Sequence, residues 1–179
     1  MSMPVIAEGT PPTRLVFTFP EDWRVSKFDA SSFYRDRVQW LEGMKAVDIL
    51  AAHDDLLQLI EIKDFRGHSR QNLAKQQNGR LLNDVAKKFV DTFAAMIGAK
   101  RLGLEEFAPF YTLLCTREEA KVEVILFLER DLSEKALRHY KLTLADLTLK
   151  LRHLMSAYNV RCRVLDRRHL PASTPWKVK

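Results

Sequence analysis

Asp48, Glu61 and Lys63 are the residues of this chain whose types and spacing suit chemistry on a phosphate. Asp48 lies in the apolar run VDIL, and Glu61 and Lys63 lie in LLQLIEIKD. Side chains alternate along a strand, so Leu57, Leu59, Glu61 and Lys63 share one face, with Ile60 and Ile62 on the other. Glu61 and Lys63 then stand about 7 Å apart and point the same way. Charges among such neighbours cost several kcal/mol unless they are paired, solvated or bound to a ligand. An acid facing a Glu beside a Lys forms a site for a divalent cation, Mg²⁺ or Mn²⁺. Two carboxylates hold the ion, the ion meets a phosphate oxygen, and the ammonium polarises a water or steadies developing negative charge.

Twelve residues separate Asp48 from Glu61-Ile62-Lys63, and a long helical pattern follows. This order resembles the PD-(D/E)XK nuclease superfamily, the restriction-endonuclease-like fold. The resemblance implies a metal-dependent phosphodiesterase in which Asp48, Glu61 and Lys63 are catalytic. It assigns Asp48, Glu61 and the Ile62 backbone carbonyl to the metal, and Lys63 to the attacking water. The sequence departs from the family pattern at Val47, where many members have Pro. An upstream acid used by many members has only Glu42 and Glu21 as candidates.

Charge is unevenly distributed around these residues. The 179-residue chain has a net charge of +6, with −3 in residues 1–60 and +9 in residues 61–179. A basic half suits a phosphate-binding surface, because neutralising phosphates releases counterions; a solvated face and a charged tail have the same composition. The candidate nucleic-acid contacts are Arg66, Gln71, Lys75, Arg161, Arg163, Arg167 and Arg168, with Gln76 and Gln77 beside them. The five histidines show no metal-ligand spacing, and His68 alone is close enough to Lys63 in sequence to test as a proton carrier. No GxxxxGK[ST] or GxGxxG is present, which argues against a P-loop or Rossmann site. Cys115 and Cys162 belong to no CxxC pair, so they read as reduced thiols of a cytoplasmic protein.

Several elements must position the site. A strand is expected over 14–19, stopped by Pro20, and a short amphipathic helix over 31–42, with Trp40 in the core. Strands over 45–52 and 56–65 form a hairpin through His53-Asp54-Asp55. Residues 66–80 form a loop leading into a helix over 81–97, with Gly98 just beyond its end. A second hairpin is predicted from 110–116 and 121–129. Ser133 and Thr143 can N-cap two helices, the second with Asp146 completing a capping box and Leu147 in the core. The run VRCRVLD, 160–166, is a strand.

These elements predict an α/β fold, a restriction-endonuclease-like mixed central sheet flanked by helices. The expected organisation is a flexible N-terminal arm (1–13), one nuclease-like domain (14–170) and a basic C-terminal tail (171–179). The expected partner is nucleic acid, DNA in the first instance, with no membrane, and with a homodimer or a larger nucleic-acid-processing complex left open. Two other readings stand beside the nuclease. One is a catalytically inactive module of the same fold that binds nucleic acid or a protein. The other is an interaction domain in which Glu61 and Lys63 pair structurally.

Overall fold

The computed structural model describes residues 2–68 and 71–179. A five-stranded mixed sheet carries the fold: β3 (Arg24–Lys27), β4 (Ile49–His53), β5 (Leu56–Asp64), β6 (Lys121–Glu129) and β7 (Arg161–Leu165), in that order. The β3–β4 and β4–β5 pairs are antiparallel, whereas β5–β6 and β6–β7 are parallel. Asp54, with φ of 50°, turns β4 into β5. The β4–β5 ladder ends at Ile49 opposite Ile60, so Asp48 stands one residue before β4 and beside Glu61.

The expected second hairpin is absent. Residues 108–115 instead form helix α4 (Ala108–Cys115), with a proline in its first turn. Phe107, Phe110 and Leu113 recur every third residue, and all three are buried, as one helix face requires. β6 then enters beside β5 in parallel over nine residues, from Leu56 opposite Lys121 to Asp64 opposite Glu129. Its unbroken apolar run is what a central strand covered on both faces needs.

The two faces of the sheet have different covers. Leu50, Leu57, Leu59, Val124, Leu126 and Val164 pack with α3 (Arg80–Arg101), α4 and α6 (Leu144–Leu154). Ile49, Ile60, Ile62, Ile125, Phe127 and Leu165 pack instead on Leu15, Phe17, Phe19, Trp23 and Trp176. A small antiparallel sheet supplies much of that second cover: β1 (Val5–Glu8), β2 (Leu15–Thr18) and β8 (Lys177–Val178), in the order β1-β2-β8. The long helices thus gather on one face rather than flanking both.

Both chain ends depart from expectation. Residues 5–8, read as part of a loose arm, are paired with β2. The basic tail is anchored by Trp176, which is 1% exposed and donates from Nε1 to Gln58 Oε1 at 2.9 Å. Its ring meets Phe17 and Phe127 with centroids 5.5 and 6.1 Å away. An aromatic side chain seated in the core defines a terminus more strongly than its surrounding lysines do.

Other boundaries moved as well. The helix expected over 31–42 stops early: α1 covers Ser32–Asp36, and a 3-10 turn covers Val38–Trp40. Trp40 is 81% exposed rather than in the core. α3 runs through Gly98 to Arg101, and Gly103, at φ of 65°, supplies the left-handed residue beyond it. The two N-caps are where the sequence places them. Ser133 Oγ accepts from Ala136 N ahead of α5 (Glu134–His139), and Thr143 forms a reciprocal capping box with Asp146 ahead of α6. Among the described residues no helix is long and apolar enough to cross a membrane.

Candidate active site

Asp48, Glu61 and Lys63 converge on the helix-covered face of the sheet. The Asp48 Oδ2 atom accepts a hydrogen bond from Ile62 N at 2.5 Å, across the gap where the β4–β5 ladder has ended. Glu61 lies on the same face as Leu57 and Leu59 and is 0% exposed. Lys63 Nζ, on a side chain 31% exposed, is 2.5 Å from Glu61 Oε1. The alternation of β5 therefore places its two charges as read from the sequence.

A fourth residue, Lys88 of α3, completes the cluster. Its Nζ lies 2.7 Å from Glu61 Oε1, 2.9 Å from Glu61 Oε2 and 3.9 Å from Asp48 Oδ1. Two carboxylates thus meet two ammonium groups. The position of Lys88 was legible in principle. Leu81, Val85, Lys88, Thr92, Ala95 and Ala99 follow helical spacing, and all but Lys88 are buried. A lysine on an inward stripe needs a buried acid, and a lone residue in a helix does not say which acid that is.

α3 also positions the chain that delivers Asp48. Thr92 Oγ1 accepts from Val47 N at 3.1 Å and donates to Lys88 O at 2.8 Å. Asp91 Oδ2 accepts from Lys45 N at 2.9 Å and pairs with Lys87 Nζ at 2.6 Å. The Asp48 carbonyl accepts from Phe28 N at 2.9 Å. Lys45 and Val47 are therefore tied through their N–H groups to the helix that carries Lys88, which fixes the approach to Asp48.

Burial pushes the Asp48 carboxyl up to about 7, and the Glu61 charge adds to the rise. Lys88, the Ile62 N–H and Lys63 oppose it. Burial works against a charged Lys88, but Glu61 and Asp48 outweigh it and hold the ammonium above its ordinary value. Asp29, on the 3-10 turn Phe28–Ala30, adds to the field at Lys88 and pairs with Lys27 at 3.4 Å. Glu21 and Glu42, the upstream acids the sequence offers, are both exposed.

The donor set suits a hard divalent ion. Glu61 Oε1 is closed from solvent and, despite its two ion pairs, accepts no aligned hydrogen bond. N–H and C=O of one strand residue project to the same side, so the Ile62 carbonyl faces the Asp48 side past the last rung. Among the described residues no group of three or more His, Cys, Asp or Glu is arranged to hold a metal. Two carboxylates and a carbonyl leave several positions to water and phosphate oxygens, which is how Mg²⁺ is commonly held.

The predicted nucleic-acid contacts divide into groups. Arg66, Arg167 and Arg168 line a cleft of about 320 Å³ with Glu129, Arg130 and Asp131, at the carboxyl ends of the parallel strands. Arg66 is held by Asp64 at 2.8 and 2.5 Å, and Arg167 by Glu129 at 3.3 Å. Arg161 and Arg163 are a correction to any single basic surface. They point to the opposite face of the sheet from Glu61 and pair with Glu123 at 3.3 and 3.8 Å. Gln71 and Lys75 are exposed, with Gln71 Oε1 3.1 Å from His68 Nδ1, which is exposed too. Gln76 is buried and receives Arg130 Nη1 at 3.3 Å. A cleft of about 600 Å³ lies beside His53 at the far end of β4.

No family model matches the chain, and no solved structure matches it. Among curated proteins it is similar to part of a cysteine–tRNA ligase of Neisseria meningitidis serogroup A / serotype 4A (strain DSM 15465 / Z2491). The two are 29% identical over 118 residues, covering 49% of this chain. The chain spans 16% of the length of that ligase.

Proposed function

We propose that the chain is a metal-dependent nuclease hydrolysing phosphodiester bonds through Asp48, Glu61 and Lys63. The observation that carries this reading is their convergence: Asp48 on Ile62 N at 2.5 Å, and Lys63 on Glu61 Oε1 at 2.5 Å. Asp48, Glu61 and the Ile62 carbonyl would hold Mg²⁺ or Mn²⁺. When bound, such an ion supplies positive charge for a phosphoryl oxygen and acidifies water. Lys63 Nζ forms an ion pair with Glu61 and carries three donors that can orient the attacking water or meet charge developing on phosphorus. Arg66, Arg167 and Arg168 would hold the nucleic-acid backbone, as phosphate contacts position a substrate without reading its sequence.

Cleavage of DNA and RNA with Mg²⁺ or Mn²⁺, compared among the unaltered chain, Lys63→Ala and Asp48→Ala, tests the proposal. Both substitutions are expected to abolish cleavage. Cleavage unaffected by either would remove the assignment. One observation favours a second reading, a non-catalytic nucleic-acid-binding module: Lys88 meets both oxygens of Glu61, at 2.7 and 2.9 Å, so the chain itself balances that carboxylate. Under that reading no metal supports cleavage, and affinity survives Lys63→Ala while falling steeply with salt.

A further inference from the structure

We propose that Lys88 is an internal stand-in for the cation, and that a divalent ion enters the site by displacing its ammonium. This rests on the proposed metal site and concerns how that site is opened. Glu61 is 0% exposed. A carboxylate so buried must be compensated. The chain supplies Lys63 on one oxygen, and Lys88 across both, at 2.7 and 2.9 Å.

Their positions distinguish the two lysines. Lys88 Nζ lies between the two oxygens of Glu61 and also faces Asp48 Oδ1 at 3.9 Å. A divalent ion shared by Asp48 and Glu61 must lie in that same space, with oxygens at roughly 2.0–2.6 Å. Two cationic centres cannot occupy it together. Lys63 meets Glu61 Oε1 alone among the described carboxylates and is not required to leave.

The helix holds the Lys88 backbone in place through the Thr92 hydroxyl, which donates to Lys88 O and accepts from Val47 N. Displacement is therefore a side-chain movement. The side chain is 21% exposed, so its flexible four-carbon stem has a way out to solvent. Lys88 is thus a positioning residue that keeps the two carboxylates together before the ion arrives.

The test measures metal binding rather than turnover. Mn²⁺ is titrated calorimetrically into the full chain, Lys88→Met and Lys88→Gln at one pH, the second variant serving if the first does not fold. In parallel, the lysine ¹³Cε resonances of the unaltered chain are followed as Mg²⁺ is added. Mn²⁺ binding at least tenfold tighter in a Lys88 variant, with the Lys88 resonance shifting as Mg²⁺ saturates, is the expected result. Equal or weaker binding in the variants, or an unmoved Lys88 resonance at saturation, overturns the displacement and leaves the metal site standing. Absence of binding in every chain overturns both.

Discussion

Ile62 N–H donates to Asp48 Oδ2 at 2.5 Å, and this bond joins the strand bearing Glu61 and Lys63 to the residue before β4. It replaces the next rung of a ladder that ends at Ile49 opposite Ile60. A side chain thus takes over a backbone position, so Asp48 cannot turn away without leaving a strand N–H unsatisfied.

Asp48 carries a pH signature. Its carboxyl is raised from 3.8 to about 7, by burial first and then by Glu61. The folded state therefore binds the proton more tightly than the unfolded state. The stability this contributes is full below pH 3.8 and is lost as pH rises through about 7. In chelator, Asp48→Asn should gain on the unaltered chain by ~2–4 kcal/mol between pH 4 and 7 and stay level above. Thermal unfolding at a series of pH values reads this difference. A constant gap across the series would show that Asp48 does not titrate there.

Lys63→Met separates chemistry from folding. Glu61 keeps Lys88 at 2.7 Å, and the Lys63 side chain is 31% exposed, so the fold should tolerate the change. A melting temperature within a few degrees is expected, with cleavage falling by ~100-fold or more, as for loss of a group acting on a reacting water. Equal losses of stability and activity would instead mark a structural pair.

Trp176→Ala tests the anchored tail. The indole is 1% exposed and bonds Gln58 Oε1 at 2.9 Å. Its removal leaves a cavity and a buried acceptor without its donor, and should cost about 3–5 kcal/mol in urea unfolding. A change under about 1 kcal/mol would mean the tail adds little to the core.

Gly98→Ala should stabilise the chain. Gly98 lies inside α3 at ordinary helical φ, and an added Cβ would meet Phe33 Cζ at 4.0 Å, a normal contact. A gain of about 0.5–1 kcal/mol follows from removing a helix-interior glycine. Destabilisation in the same unfolding measurement would show that helix α3 and Phe33 pack too closely there.

The arginines should divide by the end of the sheet they occupy: Arg167 and Arg168 follow the carboxyl end of β7, and Arg161 opens its amino end. If the proposed substrate is right, Arg168→Ala and Arg167→Ala each lower the salt slope of nucleic-acid binding by about 1. Arg161→Ala, at the amino end of β7 and paired with Glu123, should leave that slope unchanged. Filter binding across a salt series distinguishes the two sets.

Much of the local structure was legible in the chain alone. The alternation in LLQLIEIKD assigns Glu61 and Lys63 to one face, and strand geometry preserves that parity in β5. The capping box at Thr143 was readable because its partners lie within one helical turn. The expected strand over 110–116 is helix α4 because a short apolar run fits a buried strand as well as a helix; the three-residue spacing of Phe107, Phe110 and Leu113 matters only once a face is packed. The candidate site divides in the same way. Spacing joins Asp48 to Glu61 through a hairpin, because both ends of that contact are close in sequence. Lys88 reaches Glu61 from 27 residues away, through a helix laid across the sheet. Trp176 reaches Gln58 from 118 residues away. Neither partner follows from local periodicity, because periodicity says which side of an element turns inward and leaves packing to choose what it meets.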